Sequence, residues 1–256
     1  MTVLLDSSIN ILRDLISFDT TSRHSNLPLI NHVADYLSDH GLLPRIIPSE
    51  DGTKANLFCT IGPDVSGGVV LSGHSDVVPV DGQDWSTDPF ALTEKGGRLY
   101  GRGTADMKGF IACALAQVPQ LIELDLSRPM HLAFSYDEEV GCLGVGRMIN
   151  VILSELPRSA AVIVGEPTDM QVAGAHKGIC GITTTIRGRE AHSSDPQNGV
   201  NAIQFASALV SYLYRLCDEI AATEKDERFD PPFTTCLLYT SPSPRDQRGS
   251  GVRGCG

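Results

Sequence analysis

Four acid-bearing clusters carry the residues of this chain most suited to chemistry. They are Ser72-Gly73-His74-Ser75-Asp76, the glycine-flanked run Gly101–Gly109 that contains Asp106, Asp137-Glu138-Glu139-Val140-Gly141, and Gly165-Glu166-Pro167-Thr168. Each follows a short apolar run or opens a helix-like one. In α/β folds the chemistry gathers at the carboxyl ends of strands, so the four clusters are expected to converge. Carboxylates from Asp76, Asp106, Glu138, Glu139 and Glu166 would then repel one another strongly. Divalent cations offset such repulsion, and the imidazole of His74 adds a zinc-type ligand.

Taken singly, each cluster also has a plainer reading. His74 and Asp76 stand two apart, on the same side of a strand, where a carboxylate can take the proton on the imidazole nitrogen that faces away from a metal. The alternative is a polar strand end. Asp106 follows a bend eased by Gly101 and Gly103 and has two oxygens with which to bridge cations; it would equally serve as the N-cap of the helix that follows. Glu138 and Glu139 are neighbours whose side chains diverge on extended backbone, so one can ligate while the other acts as general base; an exposed acidic turn is the alternative. Pro167 holds Glu166 extended at a strand end. Cys142 reads as a small buried side chain at a helix start, with a ligand role as the second option.

The elements that must position these groups follow from periodicity. Leu5, Ile9, Leu12, Leu15 and Ile16 predict an amphipathic helix, and Leu29, Ile30, Val33, Ala34 and Leu37 a second that stops at Gly41. Arg45–Ile47, Asn56–Ile61, Val69–Ser72, Met130–Tyr136 and Ala160–Val164 read as strands, and Phe110–Leu121 and Gly144–Leu153 as helices. Strands alternating with helices predict an α/β fold with a doubly wound, mostly parallel sheet. His131 falls in an apolar strand and reads as a packed residue, and His24, His32 and His40 lie outside the clusters. Near His176, a hinge position, the character changes. Ile179–Arg187 has the Thr and Ile content of an antiparallel strand, and a long helix runs from Val200 to about Ala222.

Bulk properties narrow the class. The 256 residues are 41% hydrophobic and 20% charged, values of an ordinary globular protein, with no apolar run long enough for a membrane span and no basic leader. A formal charge of −11 argues against nucleic acid or an anionic membrane as partner. Seven scattered cysteines without a C-x-x-C pair predict a reduced, cytoplasmic protein. After Cys236 the pattern breaks. Leu237–Asp246 resembles translated adaptor or linker sequence, so residues 237–256 are expected to be a non-native tail.

In their order and wording, Ser72–Pro79, Gly101–Gly109, Tyr136–Gly144, Gly165–Thr168 and Ala175-His176-Lys177-Gly178 resemble the co-catalytic zinc peptidases, a family that includes acetylornithine deacetylase, succinyl-diaminopimelate desuccinylase, aminoacylase and glutamate carboxypeptidase. Val80–Phe90 and Tyr136–Gly144 look most like the acetylornithine deacetylase members, and the resemblance covers residues 1 to about 236. It implies a zinc exopeptidase-like catalytic domain, here residues 1–175. A lid or dimerisation domain would begin at 176–236 and be incomplete. It further implies two divalent ions, zinc or cobalt, one held by His74 and Glu166 and the other by Glu139, with Asp106 between them. Asp76 would support His74, and Glu138 would be the general base. His192, in Gly188–Ser194, would reach the site of a partner in a homodimer and hold the developing oxyanion. The implied substrate is a small N-acyl amino acid. The second ion would also need a downstream histidine that no residue here supplies, so this chain is expected to bind at most one ion, through His74, Asp106 and Glu166, and to be poorly active.

Overall fold

The computed structural model describes residues 2–178 and 180–235; the expected tail at 237–256 lies outside them. The described residues form two compact units, one up to Gln171 and the other beginning at Val172.

The first unit is built on a five-stranded sheet. Its strands are β1 (Arg45–Pro48), β2 (Ala55–Ile61), β3 (Val69–His74), β6 (Met130–Ser135) and β7 (Ala161–Val164), ordered β1-β2-β6-β3-β7. The α/β class holds, but the sheet is evenly mixed: β1-β2 and β2-β6 are antiparallel, β6-β3 and β3-β7 parallel. Parallel character is confined to the three strands that end in His74, the Glu138-Glu139 turn and Glu166.

Side-chain alternation divides the core by face. Leu57, Cys59 and Ile61 of β2, with Leu132 and Phe134 of β6, pack against four helices. These are α1 (Thr2–Ser17), α2 (Leu27–Asp39), α3 (Lys108–Ala116) and α4 (Val118–Glu123). The opposite face presents Phe58, Val70 and Ala133 to Met148 of α5 (Val145–Glu155). The buried face of α1 starts at Leu12, and Leu5 is exposed. β7 is apolar on both faces, yet Val162, Ile163 and Val164 are all exposed.

Three expectations need correction. The helix predicted over Phe110–Leu121 starts earlier and breaks at Gln117. Pro119 has no amide hydrogen to continue the ladder, and the Leu115 carbonyl accepts instead from the Tyr36 hydroxyl at 3.1 Å. The strand predicted over Ile179–Arg187 does not form among the described residues, where the segment's neighbourhood shows only an Arg189–Val200 bridge. β-propensity alone does not hold a strand whose backbone groups lack a partner. Cys142 is exposed at φ +57 rather than buried at a helix start.

A hairpin of β4 (Thr93–Lys95) and β5 (Arg98–Tyr100) was not anticipated. Its loop, Gly96-Gly97, has φ +60 and +71, the signature of a two-residue turn. In the second unit the predicted long helix is present as α6 (Ala202–Thr223), capped by the Asn201 side chain accepting from the Ile203 amide.

Candidate metal centre

β3 ends at His74, and the parallel ladder with β6 continues one step as the Ser75 amide donates to the Ser135 carbonyl at 2.8 Å. On the other side, the Gly165 amide donates to the Ser72 carbonyl at 3.0 Å, which extends β7 and brings Glu166 beside His74. Gly165 cannot carry a side chain here, because a Cβ would lie 2.0 Å from the Phe110 ring. Asp106 arrives through the bend before α3, where Gly103 adopts φ +86. It does not cap α3: the N-cap is Met107, without a side-chain bond. Its carboxylate is left to face His74.

His74 is the buried hub, its side chain 2% exposed. Its Nε2 lies 3.0 Å from Asp106 Oδ1, 3.7 Å from Glu138 Oε2 and 3.7 Å from Glu166 Oε1. The side chains of Asp106, Glu138 and Glu166 are 36–39% exposed, so they form the open side of the pocket. Two groups of three could each close around an ion, His74–Asp106–Glu139 and His74–Glu138–Glu166. The set expected from sequence for a single ion, His74 with Asp106 and Glu166, is thus distributed over both. Glu138 and Glu139 do diverge, one into each group.

The role of Asp76 differs in detail from expectation. His74 Nδ1 bonds to the backbone carbonyl of Asp76 at 2.9 Å, while the Asp76 carboxylate stands 3.6 Å away. That carbonyl acceptor places the imidazole proton on Nδ1 and leaves Nε2 as the ligand atom. The carboxylate has other work: it accepts from the Ser22 hydroxyl at 2.7 Å and from the Glu138 and Glu139 amides at 3.1 and 3.2 Å.

The electrostatics show a site short of positive charge. Burial and the nearby Asp106 carboxylate push Glu139 up to about 8, and the same two causes push Glu166 up to about 7. Burial disfavours a charged His74, but the bond to Asp106 and the charges of Asp76, Asp106 and Glu139 outweigh it and raise the group to about 10. Without a cation the cluster retains protons in its place. An oxygen-rich set with one imidazole, holding protons near neutral pH, fits a divalent cation.

Other residues support this framework. The Lys108 side chain is fully buried and donates from Nζ to the Leu15 and Phe18 carbonyls, and burial lowers it to about 7. His131 is buried, pairs with Thr60 Oγ1 at 2.9 Å and stacks on Phe58, the packed role expected of it. Cys142 touches Glu138, with Sγ 3.6 Å from Oε1. His192 belongs to the second unit, where it is exposed and its Nδ1 bonds to Ser194 Oγ at 2.8 Å. His176 is exposed in the same unit, bonded to the Lys177 carbonyl.

A family model described as peptidase family M20/M25/M40 matches residues 70–238. The chain belongs to this family. Acetylornithine deacetylase of Pasteurella multocida (strain Pm70) is 40% identical over 220 residues, covering 86% of this chain and 56% of the relative. Acetylornithine deacetylase of Proteus mirabilis (strain HI4320) is 37% identical over 242 residues, covering 92% and 62%. The chain therefore spans about three-fifths of the length of these M20 relatives. An M20 family metallo-carboxypeptidase from Sulfolobus solfataricus superposes with a TM-score of 0.56 at 21% identity, covering 62% of this chain and 37% of that one, a likeness of fold. No helix among the described residues is long and apolar enough to cross a membrane.

Proposed function

We propose that this M20 chain is part of a divalent-metal amide hydrolase that cleaves N-acetyl-L-ornithine to ornithine and acetate, a step of arginine biosynthesis. The observation that carries the hydrolase reading is the convergence of His74 with Asp106, Glu138, Glu139 and Glu166 at three parallel strand ends. The 37–40% identity to acetylornithine deacetylases supports the substrate.

His74 Nε2, Asp106, Glu139 and Glu166 would hold the cation. When bound, zinc or cobalt lowers the pKa of water and polarises the amide carbonyl. Both ligand groups draw on the same His74 nitrogen, since Nδ1 is committed to the Asp76 carbonyl; this supports one well-held ion in this chain. Glu138, at the open side, would accept a proton from water and return it to the leaving amine as the C–N bond breaks. His192 of a second copy would donate to the oxyanion, which makes the active form a homodimer.

The test compares kcat/KM on N-acetylornithine, N-succinyl-diaminopimelate and N-acetylmethionine. A preference of at least tenfold for acetylornithine supports the reading. A preference for either competitor keeps the chemistry and moves the substrate to another N-acyl amino acid.

A further inference from the structure

The turn that carries Glu138 and Glu139 is held by a closed ring of polar contacts in which Lys54 is the cation. β2 and β6 are antiparallel and pair Leu57 with Phe134. Counting three residues back from Leu57 and three on from Phe134 sets Lys54 opposite Asp137. Lys54 Nζ donates to Asp137 Oδ1 and also to the Ser22 carbonyl. Ser22 Oγ donates to Asp76 Oδ2 at 2.7 Å, and the Asp76 carboxylate accepts from the Glu138 and Glu139 amides. The peptide joining Asp137 to Glu138 closes the ring.

Burial makes this ring consequential. The Lys54 and Asp137 side chains are 15% and 13% exposed, and those of Asp76 and His74 only 2%. A charge so enclosed is costly to leave without its partner. Asp137 also holds φ +56, a conformation a non-glycine residue keeps only when its surroundings fix it. Neither Lys54 nor Asp137 belongs to a group of side chains that could close on an ion.

We propose that Lys54, through Asp137 and with Ser22, is a positioning residue that fixes the Glu138-Glu139 turn and thereby the spacing of the two carboxylates. The proposal deepens the hydrolase reading and rests on it for its functional meaning. The mixed sheet accounts for the device. β2 runs antiparallel to β6, so it starts at the end of the sheet where β6 finishes and sets Lys54 beside the turn.

The experiment measures amide hydrogen exchange on the metal-free chain and Co2+ affinity by titration, for wild type, Lys54→Met, Lys54→Arg and Asp137→Asn. Lys54→Met should speed exchange at the Glu138 and Glu139 amides at least tenfold, with the Leu132–Phe134 amides unchanged. Co2+ affinity should fall by about 10- to 100-fold, as when a group that orients a ligand is removed. Lys54→Arg should recover most of both effects. If Lys54→Met does not fold, Asp137→Asn makes the same test by cutting the pair from the other side. Unchanged exchange at Glu138 and Glu139, equal acceleration throughout β6, or unchanged Co2+ affinity would overturn the proposal. The exchange arm needs neither metal nor substrate, so it stands or fails separately from the deacetylase reading.

Discussion

Replacing Glu139 by glutamine should flatten a pH dependence that the metal-free protein owes to its crowded carboxylates. Glu139 sits at about 8 in the folded chain against an ordinary value of 4.5, because burial and the Asp106 charge disfavour its ionised form. Its folded-state value is raised, so the associated stability is complete below about 4.5 and is lost as pH rises toward 8. Between pH 5 and 7 the folded state keeps a proton that the unfolded chain has released. One such proton is worth about 1.4 kcal/mol per pH unit, hence at most about 3 kcal/mol over this window. Solvent at the open side of the pocket reduces this to about 1–2 kcal/mol. For a chain of this size that is about 2–8 °C in Tm.

Two neighbours act in the same direction and are shared by wild type and variant: Glu166, raised to about 7 from 4.5, sheds stability across the window, and His74, raised to about 10, begins to shed it above its unfolded value of 6.5. Lys108, lowered to about 7, adds stability only above that pH. Thermal melts in chelator at pH 5, 6 and 7 should show the advantage of wild type over Glu139→Gln changing by several degrees, in the direction that favours the variant at pH 7. Saturating zinc should remove the effect, because the cation takes the place of the proton, and zinc stabilisation should grow with pH. A difference between wild type and Glu139→Gln that is constant over the window in chelator would refute the reasoning.

Other expectations follow from the same geometry. In the full-length protein of which this chain is proposed to be part, Glu138→Gln should lower kcat on acetylornithine by about 10²- to 10⁴-fold, the usual worth of a general base, while calorimetric zinc affinity stays within a few fold; near-normal turnover would remove Glu138 from the chemistry. His192→Asn should lower kcat without changing zinc affinity, and an equal loss of both would make His192 structural. Phe134→Ala empties a fully buried site in β6 and should cost about 3–5 kcal/mol in urea unfolding, as large-to-small changes of buried aromatics do.

How far the sequence could be read depends on what each element needs. The core strands announced themselves by apolar runs whose carboxyl ends marked His74, Glu138, Glu139 and Glu166, and the glycine bend before α3 marked Asp106. Which carboxylates group together was not legible, because it depends on the turn at Asp137 and on strand order. The antiparallel entry of β2 was equally hidden, since periodicity does not encode strand direction, and with it went Lys54. Asp137 and Lys108 stood inside the motifs without a role because their buried polar partners, Lys54 and the end of α1, come from distant sequence. The Gly96-Gly97 hairpin was readable in principle from its turn residues. The Ile179–Arg187 segment shows the opposite limit: among the described residues, its strand composition gave no strand.

The central claim is that His74 and its converging carboxylates hold a divalent cation. Titration of the metal-free chain with Co2+, followed by its visible absorption, tests it most directly beside the His74→Ala variant. The wild type should take up one saturable equivalent, and the variant should bind at least a hundredfold more weakly. Absence of saturable binding, or binding unchanged by His74→Ala, would contradict it.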